Sequence, residues 1–199
     1  MKEFIIATKN KGKVEEFRTM FGKKGFLVKS LLDYPELPEV EETGKTFAEN
    51  AVLKAETISQ MIHKPVIADD SGLAVDALGG EPGVYSARYA GMEKDDRKNI
   101  EKVLKKMEGV KNRKARFVCV LALAVPGEKT VTVEGVCEGE IAMKPIGSNG
   151  FGYDPIFFLT DKGKTMAQLE KSEKNEISHR GKALKKLEAM IEKLGRDEF

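Results

Sequence analysis

The chain has 199 residues, of which 34 are lysine or arginine and 32 are aspartate or glutamate, with a formal net charge of +2 at pH 7. This length suits one domain with a sizeable core, because domains average about 100–200 residues. The near balance of charges and an aromatic content of 7% argue against a nucleic-acid-binding surface. We therefore expect a single domain over residues 1–199 and no nucleic-acid partner.

The N-terminus leads from Met1-Lys2-Glu3 directly into a predicted strand, without the regions that make up a signal peptide. No apolar run approaches the ~20 residues that a helix needs to span a bilayer. We expect a cytoplasmic protein with no membrane partner. Cys119 and Cys137 lie in apolar, strand-like segments without metal-ligand spacing, which predicts buried thiols.

Apolar runs and helical spacing predict an α/β fold with a mixed sheet flanked by helices. Strands are predicted near residues 2–7, 26–31, 65–69, 73–76, 115–125, 130–136, 138–143 and 153–159. Helices are predicted at residues 11–21, 46–62, 95–107, 166–172 and 178–194. The turn Pro126-Gly127 between two of the strands indicates a hairpin, so the sheet cannot be wholly parallel.

A short basic loop joins the first predicted strand to the first predicted helix. Backbone N–H groups and the positive end of a helix dipole favour an anion at such a place, and lysine side chains add full charges. We predict a phosphate site here, with a solvated basic face as the alternative. The candidate binding residues are Thr8, Lys9, Asn10, Lys11, Gly12 and Lys13.

Two glutamates, Glu41 and Glu42, stand just before the helix predicted at 46–62. Thr46 and Glu49 have the spacing of a capping box, which fixes where that helix begins. The two glutamates are therefore held beside a helix start as candidate Mg²⁺ ligands. Lys54 falls on a different face of the helix from the apolar stripe, where it can reach an anion.

Two adjacent carboxylates, Asp69 and Asp70, follow the apolar run that begins at Pro65. The strand is expected to end where the charges begin, which places Asp69, Asp70 and Ser71 on a loop at the end of a rigid element. Carboxylates in that position typically hold a metal ion or a water molecule. A solvated acidic turn is the alternative.

Two aromatic residues flank a glycine and precede an aspartate at positions 151–154. A flat heterocycle could stack on such a ring while the carboxylate accepts from a ring N–H, and a histidine and an arginine at 179–180 add donors. Ordinary core packing and a structural histidine are the alternatives. The candidate binding residues are Phe151, Gly152, Tyr153, Asp154, His179 and Arg180.

Six segments, spread in order from residue 8 to residue 181, match the motifs of one known family. They are Thr8-x-Asn10-x-x-Lys13, Glu41-Glu42-Thr43-Gly44-x-Thr46-Phe47-x-Glu49-Asn50-Ala51-x-x-Lys54-Ala55, Ala68-Asp69-Asp70-Ser71-Gly72-Leu73, Leu78-Gly79-Gly80-x-Pro82-Gly83-x-Tyr85-Ser86-Ala87-Arg88, 151–157 and Ser178-His179-Arg180. On these motifs the chain resembles the inosine triphosphate pyrophosphatase family, whose enzymes hydrolyse non-standard purine nucleoside triphosphates.

The resemblance implies an elongated, two-lobed α/β fold with the nucleotide in a central cleft, commonly as a homodimer. It also implies Asp70 as the proton acceptor, with Asp69 in support. Mg²⁺ is expected on Asp70 and on one glutamate of the Glu41-Glu42 pair, because a hard cation prefers oxygen ligands. The expected triphosphate-binding residues are Lys13, Lys54, Thr8, Asn10 and Ser71, and Lys174 is expected to close over the nucleotide.

The expected reaction is hydrolysis of inosine, deoxyinosine and xanthosine triphosphates (ITP, dITP and XTP) to a monophosphate and pyrophosphate. Donors from His179 and Arg180 would suit the oxygen at C6 of these purines and mismatch the amino group of adenine. Three alternatives stay open. They are a pyrophosphatase for other modified nucleotides such as pyrimidines, a serine hydrolase using Ser71 and His179, and a non-catalytic nucleotide-binding module.

Overall fold

In the computed structural model, which describes residues 3–22, 25 and 27–193, seven strands form one mixed sheet in the order β2-β1-β3-β4-β5-β6-β7. The strands are β1 Glu3–Ile6, β2 Leu27–Ser30, β3 Val66–Val75, β4 Lys114–Ala124, β5 Val131–Ile141, β6 Phe157–Leu159 and β7 Lys164–Thr165. The helices are α1 Lys11–Gly22, α2 Phe47–Ile62, α3 Asp96–Lys106, α4 Lys171–Ile177 and α5 His179–Lys193. The predicted class, a mixed sheet with flanking helices, is confirmed. Predicted element ends at residues 2, 26 and 194 lie outside the described residues.

The parallel part of the sheet is built around β1, which pairs in parallel with both β2 and β3. Its helices have the predicted apolar stripes, since α1 buries Val14, Phe17 and Phe21 at helical spacing. The predicted capping box of α2 is confirmed, with Thr46 accepting from the Glu49 N–H and Glu49 reaching back to the Thr46 N–H. These contacts fix where α2 begins relative to the preceding acidic loop.

The hairpin prediction is also supported, because a turn closed by the Glu128 N–H and the Val125 carbonyl joins β4 to its sheet neighbour β5. A parallel pair would need a crossover of about a dozen residues or more. β5 is continuous where two strands were predicted. The predicted strand at 153–159 is a 3₁₀ turn at Asp154–Ile156 followed by β6, and α4 begins later than the helix predicted at 166–172.

The prediction that the strand ends before Asp69 is wrong, because β3 continues unbroken from Val66 to Val75. β1 pairs with β3 only as far as Ile67, so Asp69 and Asp70 lie just past the end of β1. Beyond that point β3 forms hydrogen bonds with the segment 81–86. The Leu73 N–H donates to Ser86 Oγ, and the Val75 N–H donates to the Glu81 carbonyl. These bonds and the neighbouring strand β4 satisfy backbone groups of β3 that β1 does not reach.

The chain divides into two compact units. Unit 1 holds the described residues within Met1–Asp70, Val120–Glu134 and Ala183–Phe199, and unit 2 holds Ser71–Cys119 and Gly135–Lys182. Unit 1 packs the apolar faces of α1 and α2, including Phe17 and Ile58, around buried strand residues. Unit 2 has its own core cluster, which runs from Leu73 to Leu169 and contains Cys137.

Both cysteines, Cys119 and Cys137, are buried as predicted, and burial raises the pKa of the Cys137 thiol. Within the described part of the chain, every helix is too short or too polar to traverse a lipid bilayer.

Candidate active site

The loop before α1 is shaped by its own side chains. Thr8 Oγ1 accepts from the Asn10 N–H, and Asn10 Oδ1 accepts from the Lys13 N–H, which is an N-cap contact. Lys9 donates to the Leu37 carbonyl, while Lys11 is exposed on the first turn. Gly12 also lies in the first turn, so the loop presents a helix N-terminus as predicted, with Lys13 as its inward lysine.

Two lysines converge on the carboxylates of β3. Lys13 Nζ forms an ion pair with Asp69 Oδ1 and lies 3.5 Å from the Asp69 carbonyl oxygen. Lys54 Nζ donates to the same carbonyl at 2.8 Å and lies 3.8 Å from Asp70 Oδ1. Asp69 is fully buried and Asp70 is 4% exposed. Lys54 therefore contacts protein carboxylates of unit 1 from the buried side of α2, not from the separate face that was predicted, and its binding of a substrate anion stays a prediction.

The acidic loop contributes one of its two glutamates to the cluster. Glu42 Oε1 accepts from Lys54 Nζ at 2.6 Å, while Glu41 is exposed. Of the two predicted ligands, the structure therefore places Glu42 beside Asp70. A buried residue that the sequence reading did not select, Asn50, donates from Nδ2 to Asp70 Oδ2 at 3.0 Å. Its place in the family motif Glu49-Asn50-Ala51 is the signal that could have drawn attention to it.

Burial raises the pKa of Asp70 to about 6, chiefly by desolvation of the carboxylate. Lys54, Lys13 and the Asn50 amide oppose this shift, and Glu42 adds to it. A carboxyl group with a pKa near neutrality can take a proton during turnover and release it again at working pH. The environment of Asp70 is therefore suited to a general base.

The acidic side chains fit a metal bound together with a substrate rather than a protein-only cage. Among the residues with described positions, no group of three or more His, Cys, Asp and Glu side chains could hold a metal ion. Mg²⁺ is commonly held by one or two carboxylates plus substrate phosphates and water. Glu42 and Asp70 are a donor pair of that kind.

Unit 2 holds the aromatic and donor residues. Asp154 Oδ2 accepts from Lys174 Nζ at 2.6 Å and from the Phe151 N–H at 3.0 Å. Both charged residues of this pair are buried, and Lys174 Nζ lies 4.8 Å from the centre of the Phe151 ring. Lys174 is thus held in a buried ion pair under one aromatic ring, and the predicted closing motion stays a prediction.

Arg180 and His179 begin α5 and are both almost fully buried. Arg180 donates to Ser71 Oγ at 2.8 Å, with its guanidinium 5.9 Å from the centre of the Phe151 ring. The His179 ring stacks on Phe117, with the ring centres 4.8 Å apart. The structure therefore brings Phe151, Ser71 and Arg180 together.

Tyr153 has a different place from Phe151. Its ring is 5% exposed within the core cluster of unit 2, and its hydroxyl donates to the Ser86 carbonyl at 2.7 Å. Burial raises the pKa of this hydroxyl. The Tyr153 side chain is thus positioned to anchor the 151–154 segment, and only Phe151, which is half-buried, offers an aromatic surface there.

Two glycines beside this ion pair supply a matched test of its packing. Gly150 and Gly152 both have positive φ, but a Cβ on Gly150 would lie 1.9 Å from Asp154 Oδ2, whereas a Cβ on Gly152 would meet nothing within 4 Å. We expect Gly152→Ala to cost about 1 kcal/mol from backbone conformation alone. Gly150→Ala should lower the free energy of unfolding further, because the Lys174–Asp154 pair must shift. Urea unfolding of both variants measures the difference, and equal losses would contradict it.

Comparison with known proteins places the chain in a family. The model of the Ham1 family matches residues 4–190. The chain belongs to the Ham1 family. This Ham1-family chain is 60% identical to the dITP/XTP pyrophosphatase of Geobacillus kaustophilus over 196 residues, covering 98% of this chain and 96% of that protein. It is 58% identical to the dITP/XTP pyrophosphatase of Bacillus subtilis over 194 residues, covering 96% and 98%.

Solved Ham1 structures agree with this assignment. The Ham1 protein of Staphylococcus aureus is 49% identical, with a TM-score of 0.86 and coverage of 96% of this chain and 98% of that one. A HAM1 protein from Coxiella burnetii is 41% identical, with a TM-score of 0.87 and coverage of 97% and 100%. The family resemblance expected from the sequence motifs is thus confirmed. The enzyme class expected from those motifs is nucleoside triphosphate pyrophosphatase. The Geobacillus and Bacillus relatives are named for an activity of that class.

Proposed function

We propose that this chain hydrolyses non-standard purine nucleoside triphosphates, namely dITP, XTP and ITP, to the nucleoside monophosphate and pyrophosphate in a Mg²⁺-dependent reaction. The names of relatives at about 60% identity over nearly the whole chain support the substrate class. The single observation that carries the chemistry is the cluster in which Lys13 and Lys54 meet Asp69, Asp70 and Glu42. Opposed charges of this kind suit a polyphosphate bound with a cation.

The triphosphate is assigned to the basic side of unit 1. Lys13 stands on the first turn of α1, where the helix dipole and backbone N–H groups favour an anion. Lys54 is the second phosphate ligand, and Thr8 and Asn10 hold the loop that carries these N–H groups. Phosphate oxygens would compete with Asp69 and Glu42 for the two lysines, so substrate binding would free carboxylate oxygen for the metal.

Mg²⁺ is assigned to Glu42 and Asp70, with Glu41 left in solvent. When bound, the ion would neutralise charge on the phosphate oxygens. Asp70 accepts the proton of the attacking water. Asp69 supports it by holding Lys13 beside the site.

The base is assigned to residues of unit 2. The half-buried Phe151 ring offers a stacking surface, and Arg180 and His179 offer N–H donors for the C6 oxygen of hypoxanthine or xanthine. The amino group of adenine cannot accept from those donors, so a buried mismatch would disfavour ATP. Lys174 keeps Asp154 oriented as an acceptor for a ring N–H.

We also propose a single functional domain over residues 1–199 and a cytoplasmic location, and, on the basis of the family resemblance, a homodimer. The dimer is tested by sedimentation of the purified chain.

A nucleotide panel with product analysis tests the reaction. With Mg²⁺ and ITP, dITP or XTP, we expect monophosphate and pyrophosphate in equal amounts, and almost no turnover with ATP or after chelation by EDTA. Orthophosphate plus a diphosphate would contradict the proposed cleavage. Turnover of modified pyrimidine nucleotides alone would favour a related pyrophosphatase, and binding without turnover would favour a nucleotide-binding module.

A further inference from the structure

One buried amide connects two parts of the lysine–carboxylate cluster. Asn50 lies on the first turn of α2 and is fully buried. Its Nδ2 donates to Asp70 Oδ2 at 3.0 Å, and its Oδ1 accepts from the Gly44 N–H at 2.7 Å. Gly44 belongs to the loop that carries Glu42, so a single side chain spans from the acidic loop to β3.

Both ends of this amide are needed. A carboxamide has a donor end and an acceptor end, and here the donor meets a carboxylate while the acceptor meets a backbone N–H. Removing the side chain would leave a partly buried donor in the loop and a buried carboxylate without these bonds, which is costly. The fit is close, because a Cβ on Gly44 would lie 2.6 Å from Asn50 Oδ1.

Asp70 and Glu42 repel each other, and Glu42 raises the pKa of Asp70. Holding them close therefore requires fixed partners. Lys54 supplies one, since its ammonium contacts both carboxylates. In the proposed reaction, however, that ammonium moves to phosphate. The Asn50 amide carries no charge, so substrate phosphate does not draw it away from Asp70 and Gly44.

We propose that Asn50 is a positioning residue that holds Asp70 and the Glu42 loop in the arrangement needed for metal binding and for proton acceptance. This inference rests on the proposed function. It predicts that loss of the amide weakens metal binding and turnover together, beyond any loss of stability.

Asn50→Ala is compared with Ser59→Ala, which removes another buried hydrogen bond of the same helix, from Ser59 Oγ to the Lys64 carbonyl. Hydrogen bonds to charged groups are strong enough that losing one changes an equilibrium by about tenfold to a hundredfold. We expect Asn50→Ala to lower kcat on dITP by at least about tenfold with little change in KM. Affinity for Mn²⁺ in the presence of saturating pyrophosphate, measured by electron paramagnetic resonance of the protein-bound ion, should fall similarly. Ser59→Ala should keep both values.

Two further variants separate positioning from loop structure. Asn50→Asp keeps an acceptor for the Gly44 N–H but turns an acceptor toward Asp70, so kcat should stay as low as in Asn50→Ala. If Asn50→Asp restores kcat, the amide serves only the loop and the proposal fails. Gly44→Ala, which displaces the amide from the other side, should lower kcat and Mn²⁺ affinity as well.

The proposal is overturned if Asn50→Ala matches Ser59→Ala in kcat and in Mn²⁺ affinity. If Asn50→Ala does not fold, Asn50→Asp and Gly44→Ala decide by the same two measurements. A wild-type protein that binds Mn²⁺ but hydrolyses none of the purine triphosphates would instead overturn the proposed function. In that case the Mn²⁺ affinities of the variants still test the positioning role.

Discussion

Asp70→Asn should abolish most of the hydrolysis of dITP while the protein stays folded. The substitution preserves shape but removes the charge that would take the proton and bind the metal. General-base catalysis contributes about 10²–10⁴-fold, and loss of a metal ligand adds to this, so we expect kcat/KM to fall by at least about a thousandfold. The assay is initial-rate release of pyrophosphate at saturating Mg²⁺.

The matched control is Asp76→Asn, at the residue directly after β3. Asp76 is paired with Arg116 at the surface, at 2.7 Å, and has no place in the proposed chemistry. We expect its activity to equal that of the wild type. Near-normal turnover in folded Asp70→Asn protein would remove Asp70 as both base and ligand.

The Asp70→Asn variant also tests how the stability of the metal-free protein depends on pH. The pKa of Asp70 is about 6 in the fold and 3.8 as its ordinary value, so the folded state binds the proton more tightly than the unfolded state. Relative to Asp70→Asn, the wild type should therefore lose stability as pH rises from about 4 to about 6, by up to about 3 kcal/mol at 1.36 kcal/mol per pKa unit. The amide of the Asp70→Asn variant does not titrate, so this loss should be absent there.

Thermal unfolding in EDTA measures whether Asp70 lowers or raises stability as the pH increases. Asp70→Asn should match the wild type near pH 4 and exceed it in melting temperature above pH 6, with Asp76→Asn following the wild type throughout. A variant that is less stable than the wild type at pH 7 would show that the lysines and Asn50 outweigh the desolvation of the carboxylate.

Local signals in the sequence were enough to predict the elements that position the cluster. The capping box at Thr46 depends on two side chains three residues apart, and the N-terminal loop depends on contacts within six residues. Both were predictable because their partners are close in sequence. The prediction that Lys54 lies on a different face of α2 from the apolar stripe was wrong, because Lys54 is buried on the same side of the helix as Ala51 and Ile58.

The features that could not be predicted from the sequence depend on contacts between residues that are far apart in the chain. Charges at Asp69 and Asp70 indicate a loop, but lysines 56 and 16 residues away hold them inside a buried strand. The hydrogen bond from Asn50 to Asp70 joins residues 20 positions apart, so local patterns in the sequence did not predict it. Tyr153 shares a motif with Phe151 but is buried by a contact to Ser86, which lies 67 residues before it in the sequence.

Arg180→Ala should narrow the preference for ITP over ATP. In the fold, Arg180 is 2% exposed, donates to Ser71 Oγ and lies near the Phe151 ring, so its guanidinium is fixed in one orientation. A charge-assisted hydrogen bond to the C6 oxygen contributes about 1.5–3 kcal/mol. Its loss should therefore lower kcat/KM on ITP by roughly tenfold to a hundredfold.

ATP should lose much less, because its amino group does not accept from arginine. The ratio of kcat/KM for the two nucleotides is measured on one sample, so any unfolded fraction cancels from it. Arg116→Ala, which removes an arginine from the surface of the same unit, should leave the ratio unchanged. Ser71→Ala removes the partner of Arg180 but keeps the donor, so it should lower both rates and preserve the ratio. Equal losses on ITP and ATP in Arg180→Ala would assign this arginine to phosphate binding or to structure, since neither of those roles differs between the two nucleotides.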